Sequence, residues 1–302
     1  MEIKDRSKLL TEQRNPRTLN IDCKTTLEII DIINAEDARV FTAVHREREH
    51  IAKAADLIVA AMRNEGRLIY VGAGTSGRLG ILDAAECPPT FGTDPNMIIG
   101  IIAGGEKAVF QSIEGAEDFP ENGARDIQQK EVNHRDVVVG ITTGGTTPYV
   151  AGALFEARKR NAKTIFLCCN PETIPNFEVD VTIRPIVGPE VITGSTRMKA
   201  GTVTKLILNM LTTTAMIKIG KVYENLMVDL RAMNVKLTDR AERIIMTASG
   251  VNREDAKKLL ETAYGNVKVA IVMQKLSLDY AEAKKRLDAN GGFIRKVLLI
   301  SY

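Results

Sequence analysis

Residues that bind metals or form disulfides are scarce in this chain. Its 302 residues include four cysteines (Cys23, Cys87, Cys168, Cys169) and three histidines (His45, His50, His134). No C-x-x-C pair occurs, so neither a zinc site nor a disulfide framework is expected, and Cys168 and Cys169 read as plain strand residues. Charge of one sign is also lacking. With 41 basic and 38 acidic side chains well mixed along the chain, the formal net charge of +3 leaves no footprint for nucleic acid or an anionic membrane. The expected partner is a small molecule. The longest helical apolar stretch, Leu206 to Ile219, is interrupted by Asn209, three threonines and Lys218, and is too short and polar to span a bilayer. Met1-Glu2-Ile3-Lys4-Asp5-Arg6 is too charged for a signal peptide, so a reducing cytoplasm is the expected compartment. No repeat, low-complexity stretch or G-x-x-x-x-G-K-[ST] sequence is present, and the last absence argues against a P-loop NTPase.

What the chain does have is three loops rich in hydroxyls and glycine, each following a strand-like run. They are Gly72-Ala73-Gly74-Thr75-Ser76-Gly77, Thr142-Thr143-Gly144-Gly145-Thr146-Thr147 and Thr193-Gly194-Ser195-Thr196. Five runs, near 68–71, 97–103, 137–141, 164–169 and 179–187, predict strands, and helical segments separate most of them. That is the pattern of a five-stranded parallel α/β sheet covered on both faces. Loops at the carboxyl ends of such strands gather on one edge, where the following helices aim their N–H groups, so three of them describe a pocket for one phosphate group. The first loop also reads G-x-G-x-x-G, but a dinucleotide site needs an acidic residue about 20 positions on, at the end of the second strand. Asp94 precedes that strand and Glu106 follows too late, so a sugar phosphate is the favoured ligand.

Composition divides the chain into an arm (1–44), an α/β domain (45–237) and a small helical C-terminal domain (238–302). The arm holds an irregular segment, Leu10 to Pro16, before a helical stretch around Thr25 to Ile33. The α/β domain opens with an amphipathic helix, His45 to Arg63, in which Ile51, Ala55, Ile58 and Met62 recur at helical spacing. A long helix is expected from about Lys199 to Ile219. Beyond Thr238 the stretches Arg240 to Ala248, Arg253 to Ala263, Val267 to Leu276 and Asp279 to Leu287 read as helices separated by glycine turns.

The segment Val71 to Phe91, with Gly72-Ala73-Gly74-Thr75-Ser76-Gly77-Arg78 and Ala84-Ala85-Glu86-Cys87-Pro88-Pro89, closely resembles the signature of the N-acetylmuramic acid 6-phosphate etherases. The likeness continues in Thr11-Glu12-Gln13-Arg14-Asn15-Pro16, Glu114-Gly115-Ala116-Glu117-Asp118, Gly188 to Thr202 and Asn225-Leu226-Met227-Val228-Asp229. It implies a sugar isomerase (SIS) type fold, a homodimer, and a cofactor-free reaction. That reaction splits the lactyl ether of a phosphorylated amino sugar into N-acetylglucosamine 6-phosphate and D-lactate. Relatives usually carry Ser and Arg where this chain has Gly144 and Thr146, so Thr143 or the amides of Gly144 and Gly145 would have to substitute.

Eliminating an ether at C3 of the ring-opened sugar needs a base at C2 and an acid on the ether oxygen, which two carboxylates can supply. Pro88 should end the helix after the first loop near Cys87, leaving Glu86 at a helix C-terminus. There the negative end of the dipole would disfavour the carboxylate and suit Glu86 to proton donation; the resemblance carries a catalytic glutamate onto this position. The family's second catalytic glutamate maps to Glu117, assigned as the base, after an expected helix from Lys107 to Ile113. Gly74, Thr75, Ser76, Thr143, Gly145, Ser195 and Thr196 are the expected phosphate-site residues. Arg197 and Lys199 are expected near a phosphate or carboxylate of the substrate, and Glu190 at sugar hydroxyls. An aldose–ketose isomerase and a non-enzymatic sugar-phosphate sensor are the competing readings.

Overall fold

The computed structural model describes residues 7–171, 173, 175, 177–230 and 235–300. Two compact units make up the chain: Met1–Ala84 with Asn96–Thr212, and Ala85–Pro95 with Thr213–Tyr302.

The first unit begins with three short 3-10 turns, then α1 (Thr26–Asp37), α2 (Arg39–Arg46) and α3 (Arg48–Arg63). Thr25 starts α1 with a capping box: its hydroxyl accepts from the Glu28 N–H, and the Glu28 carboxylate accepts from the Thr25 N–H. The single helix expected over His45 to Arg63 is broken at Glu47, whose carboxylate turns away to accept the Arg184 N–H at 2.9 Å.

After α3 come β1 (Leu68–Gly72), α4 (Gly74–Phe91), β2 (Ile98–Ile102), α5 (Lys107–Phe110), α6 (Pro120–Gln129), β3 (Val137–Ile141), α7 (Pro148–Lys159), β4 (Lys163–Leu167), β5 (Val181–Ile183) and α8 (Lys199–Lys218). The five strands form one parallel sheet in the order β2-β1-β3-β4-β5. Val71 is level with Ile101 on one side and Gly140 on the other. Central strands read as unbroken apolar runs because both faces are covered. Ile69, Val71, Val138 and Phe166 meet Tyr149, Val150 and Leu154 of α7 on one face. Opposite, α3 packs on β1, β3 and β5, and Gly80 of α4 sits against the Tyr70 ring. The Tyr70 hydroxyl donates to Asp83 at 2.9 Å, and Asp83 also accepts from Asn209 and Thr212, pinning α4 to β1 and α8.

One expectation for α4 fails. Pro88 and Pro89 lie inside the helix, which runs to Phe91, where the Gly92 N–H closes the last turn on Pro88 O at 2.9 Å. A proline deletes its own N–H but leaves its carbonyl available to the next turn, so two prolines near a helix end cost bonds without stopping it. Glu86 is therefore not at the helix terminus. The helix expected over Lys107 to Ile113 is likewise shorter, ending at Phe110.

The second unit holds a small antiparallel hairpin, β6 (Val222–Tyr223) with β7 (Leu226–Met227), not anticipated from sequence. Five helices follow: α9 (Val235–Ser249), α10 (Arg253–Thr262), α11 (Val267–Leu276), α12 (Tyr280–Ala289) and α13 (Ile294–Ile300), the last unforeseen. Side chains of Asn252, Asn266 and Asp279 cap α10, α11 and α12. Ile245, Ala270, Ile271, Leu287 and Val297 fill the core of this unit. Lys221 and Lys268 both pair with Asp229, at 2.9 and 2.7 Å.

Candidate active site

The chain leaves β1 toward β2 on one side and returns as β3 on the other. In a doubly wound sheet this reversal opens a crevice at the carboxyl ends of those two strands. Both faces of the crevice are hydroxyl-rich loops.

The first loop is compact because Gly77 has no side chain: a Cβ there would lie 2.5 Å from Ile102 Cγ1 and 2.8 Å from Gly72 O. The Ser76 and Gly77 N–H groups close back on Ala73 O, at 3.1 and 3.4 Å. The first N–H groups of α4, on Gly74 and Thr75, have no intrahelical acceptor and remain for a ligand. In the second loop, Thr142 and Thr147 share a hydroxyl–hydroxyl bond of 2.9 Å, and the Gly145 N–H donates to Thr142 Oγ1 at 3.2 Å. The hydroxyls of Thr143 and Thr146 make no hydrogen bond among the described residues.

Between the loops lies a cavity of about 220 Å³, lined by Ala73 to Ser76, Ile141 to Gly144, Thr146, Thr147, Thr196, Glu117, Leu9 and Glu12. Among the described residues no lysine, arginine or histidine lines it, so an anion placed there would meet hydroxyls and helix N–H groups. Glu117 belongs to the segment between α5 and α6. Its carbonyl accepts the Tyr149 N–H at 3.0 Å, in the first turn of α7. Three residues on, Pro120 rests on Gly152 so closely that a Cβ at Gly152 would lie 1.9 Å from Pro120 O. The backbone carrying Glu117 is thus clamped onto α7. A second cavity of about 310 Å³ shares Ala73, Gly74 and Glu117 with the first and is also lined by Arg78, Glu114 and Asp118.

Comparison with known proteins places this chain in a family. N-acetylmuramic acid 6-phosphate etherase of Salinibacter ruber (strain DSM 13855 / M31) is 51% identical over 291 residues, 96% of this chain and 94% of that protein. The protein of the same name from Clostridium botulinum (strain Loch Maree / Type A3) is 53% identical over 287 residues, 95% of each. That from Klebsiella aerogenes is 51% identical over 294 residues, 97% of this chain and 98% of that one. The chain belongs to the N-acetylmuramic acid 6-phosphate etherase family. The SIS domain family model matches residues 107–214, and that of the glucokinase regulatory protein N-terminal SIS domain matches 50–158. A crystal structure from Bacteroides fragilis NCTC 9343, described as a candidate phosphosugar isomerase involved in capsule formation, supports the fold alone. It has TM-score 0.50 and 22% identity, and the match covers 64% of this chain and 91% of that one.

Of the expected site residues, Gly74, Thr75, Ser76, Thr143, Thr196 and Glu117 come together around the 220 Å³ cavity. The other expected residues are placed differently. Gly145 spends its N–H on Thr142 and lies outside the lining. Ser195 and Arg197 flank Thr196 in the turn before α8 without lining the cavity. Glu190, 1% exposed, caps α8: its oxygens accept the N–H groups of Lys199 and Ala200 at 3.0 and 2.8 Å. Burial pushes its pKa up, against those bonds. Lys199, fully buried, pairs with Glu36 at 2.6 Å. Glu86 is exposed on α4, in the second unit, and is not among the lining residues.

The arm is what the sequence reading missed. Glu36, 3% exposed, receives Lys199, Nε and Nη2 of Arg17, and Asn15 Nδ2 at 2.8 Å. Arg17 foremost holds its pKa down at about 2, with Lys199 and Asn15 adding to the effect against burial. Asn15 also reaches Pro189 O, and the Thr18 hydroxyl donates to Val191 O at 2.8 Å. These bonds stitch the arm to the segment before the third loop. Leu9 thereby approaches Gly144, and Glu12 Oε2 lies 3.1 Å from where a Cβ on Gly194 would stand. The sequence hinted at this through the polar segment Thr11 to Pro16, one of those that carry the family resemblance, without showing what it contacts.

Proposed function

We propose that this chain cleaves the D-lactyl ether of N-acetylmuramic acid 6-phosphate, giving N-acetylglucosamine 6-phosphate and D-lactate in the turnover of cell-wall amino sugars. Half-identity along essentially the whole length of proteins bearing that name carries the reading. The 6-phosphate fits the hydroxyls of Thr75, Ser76, Thr143 and Thr196 and the free N–H groups at the start of α4. Ring opening exposes the C1 aldehyde, which acidifies the C2 hydrogen. Glu117, the carboxylate bordering both cavities, takes that proton. The C3–O bond then breaks with its electron pair going to oxygen, an acid protonates the departing lactate oxygen, and water adds at C3.

Glu86 is the proposed acid, and its position on α4 sets a condition. From Thr75 it is 86 − 75 = 11 residues along one helix, a rise of about 16 Å. C3 is only a few bonds from the phosphorus, so a sugar anchored at Thr75 lies out of reach of Glu86 on the same chain. The proposal therefore includes a homodimer in which Glu86 of one copy serves the cavity of the other. A phosphorylated sugar substrate and the free cysteines fit action in a reducing cytoplasm; among the described residues no helix is long and apolar enough to cross a membrane.

D-lactate release from N-acetylmuramic acid 6-phosphate, without added metal or nucleotide, tests the activity; its absence refutes it. Mixing inactive Glu86→Gln with inactive Glu117→Gln tests the shared site. Exchange of subunits should restore about a quarter to a half of the activity if the glutamates act across the dimer, and none if both must come from one chain.

A further inference from the structure

The substrate proposed above carries two anions, a phosphate and the lactyl carboxylate, and the cavities provide for them unequally. Among the described residues the 220 Å³ cavity is lined by hydroxyls and no cation. The adjoining 310 Å³ cavity has one, Arg78. We propose that Arg78 binds the carboxylate of the lactyl group and so selects the ether substrate over sugar phosphates lacking that group. This rests on the etherase reading and adds a specificity residue to it.

Arg78 stands three residues after Thr75 on α4, so both side chains project from neighbouring positions on one helix face. Its guanidinium is held by Nε donating to Val109 O at 2.9 Å and Nη2 to Gln111 O at 3.2 Å. A guanidinium has five N–H donors, so a carboxylate can still be bound by those that remain. No protein carboxylate forms an ion pair with it among the described residues, although Glu114, Glu117 and Asp118 line the same cavity. Glu114 instead accepts from the Ser112 hydroxyl at 3.0 Å.

The electrostatics require such a group. One carbon links the lactyl carboxylate to the ether oxygen, and C3 is bonded to C2, where Glu117 acts. A substrate carboxylate must therefore lie within a few bonds of a site already carrying Glu117, with Glu114 and Asp118 beside it. Like charges at such separations oppose each other, and Arg78 is the one cation among the described residues lining that cavity. Glu117 borders both cavities, so a phosphate in the first and a carboxylate at Arg78 would leave C2 and C3 between them.

The test compares ligands with and without the lactyl carboxylate. Arg78→Met should raise KM for N-acetylmuramic acid 6-phosphate about tenfold or more, the usual loss for a hydrogen bond to a charged group. The inhibition constant of N-acetylglucosamine 6-phosphate, which has no lactyl group, should stay within about twofold. Arg78→Lys should fall between Arg78→Met and the wild type. If both constants rise together, Arg78 merely clamps Val109 and Gln111; if neither moves, it does not contact the substrate. Either result overturns the proposal. Should the variants fail to fold, the wild-type enzyme can be given the substrate with its carboxylate converted to the amide, and equal KM for acid and amide also overturns it. Wild-type protein that releases no lactate from the acid would instead defeat the underlying etherase reading.

Discussion

The first and third loops look alike in sequence, each a short run of glycine and hydroxyls before a long helix, yet the fold employs them differently. The first delivers Gly74, Thr75 and Ser76 to the cavity and leaves the opening N–H groups of α4 free. The third delivers only Thr196. Its charged neighbours Glu190 and Lys199 are buried in the framework, one capping α8 and the other ion-paired to Glu36. Burial separates the two cases: each of these charges is buried and committed to a framework partner, and neither lines the cavity. The proposed chemistry rests on the first loop and Glu117, while the network behind the third holds the arm against the pocket.

That contrast can be broken at several points. Glu117→Gln should lower kcat by about 10²- to 10⁴-fold, the usual worth of a general base, with little change in melting temperature. Glu36→Ala strands Lys199 and Arg17 without their counter-charge, and unfolding in urea should show a loss of about 3–5 kcal/mol. The sign with pH follows from Glu36 titrating at about 2 instead of 4.5. The stabilisation is complete above the ordinary carboxylate range and fades as pH falls toward 2, so Glu36→Ala and wild type should converge in strongly acidic urea titrations. Gly152→Ala pushes Pro120 off α7 and should cost about 1–3 kcal/mol, lowering kcat more than it raises KM because the displaced segment carries Glu117. Smallest are the loop hydroxyls. Thr75→Val should weaken inorganic phosphate inhibition by about fivefold, while Ser195→Ala should change it by less than about twofold; equal effects would erase the distinction between the loops.

Most of the sheet was legible because buried parallel strands advertise themselves as Val- and Ile-rich runs, such as Val137 to Ile141. The long helix α8, expected from about Lys199 to Ile219, runs from Lys199 to Lys218. What failed to read depended on partners distant in sequence. At Glu47, where the expected helix is interrupted, the carboxylate accepts the N–H of Arg184, 137 residues away. Lys199 appeared as a substrate ligand because its partner Glu36 lies 163 residues earlier. Glu12 gave no local sign of meeting the third loop, since Asn15, Arg17 and Thr18 anchor the arm through long-range bonds. The misplaced helix end at Cys87 had a local cause: proline's bias against the α region for the preceding residue is a tendency, and α4 overrides it.

Running the reaction in deuterium oxide tests the central claim most directly, reading D-lactate and the label at C2 of the N-acetylglucosamine 6-phosphate together. The account predicts lactate release with one deuterium at C2 for the wild type, and neither for Glu117→Gln. Lactate released with hydrogen retained at C2, or undiminished labelling in the variant, would contradict elimination initiated by Glu117.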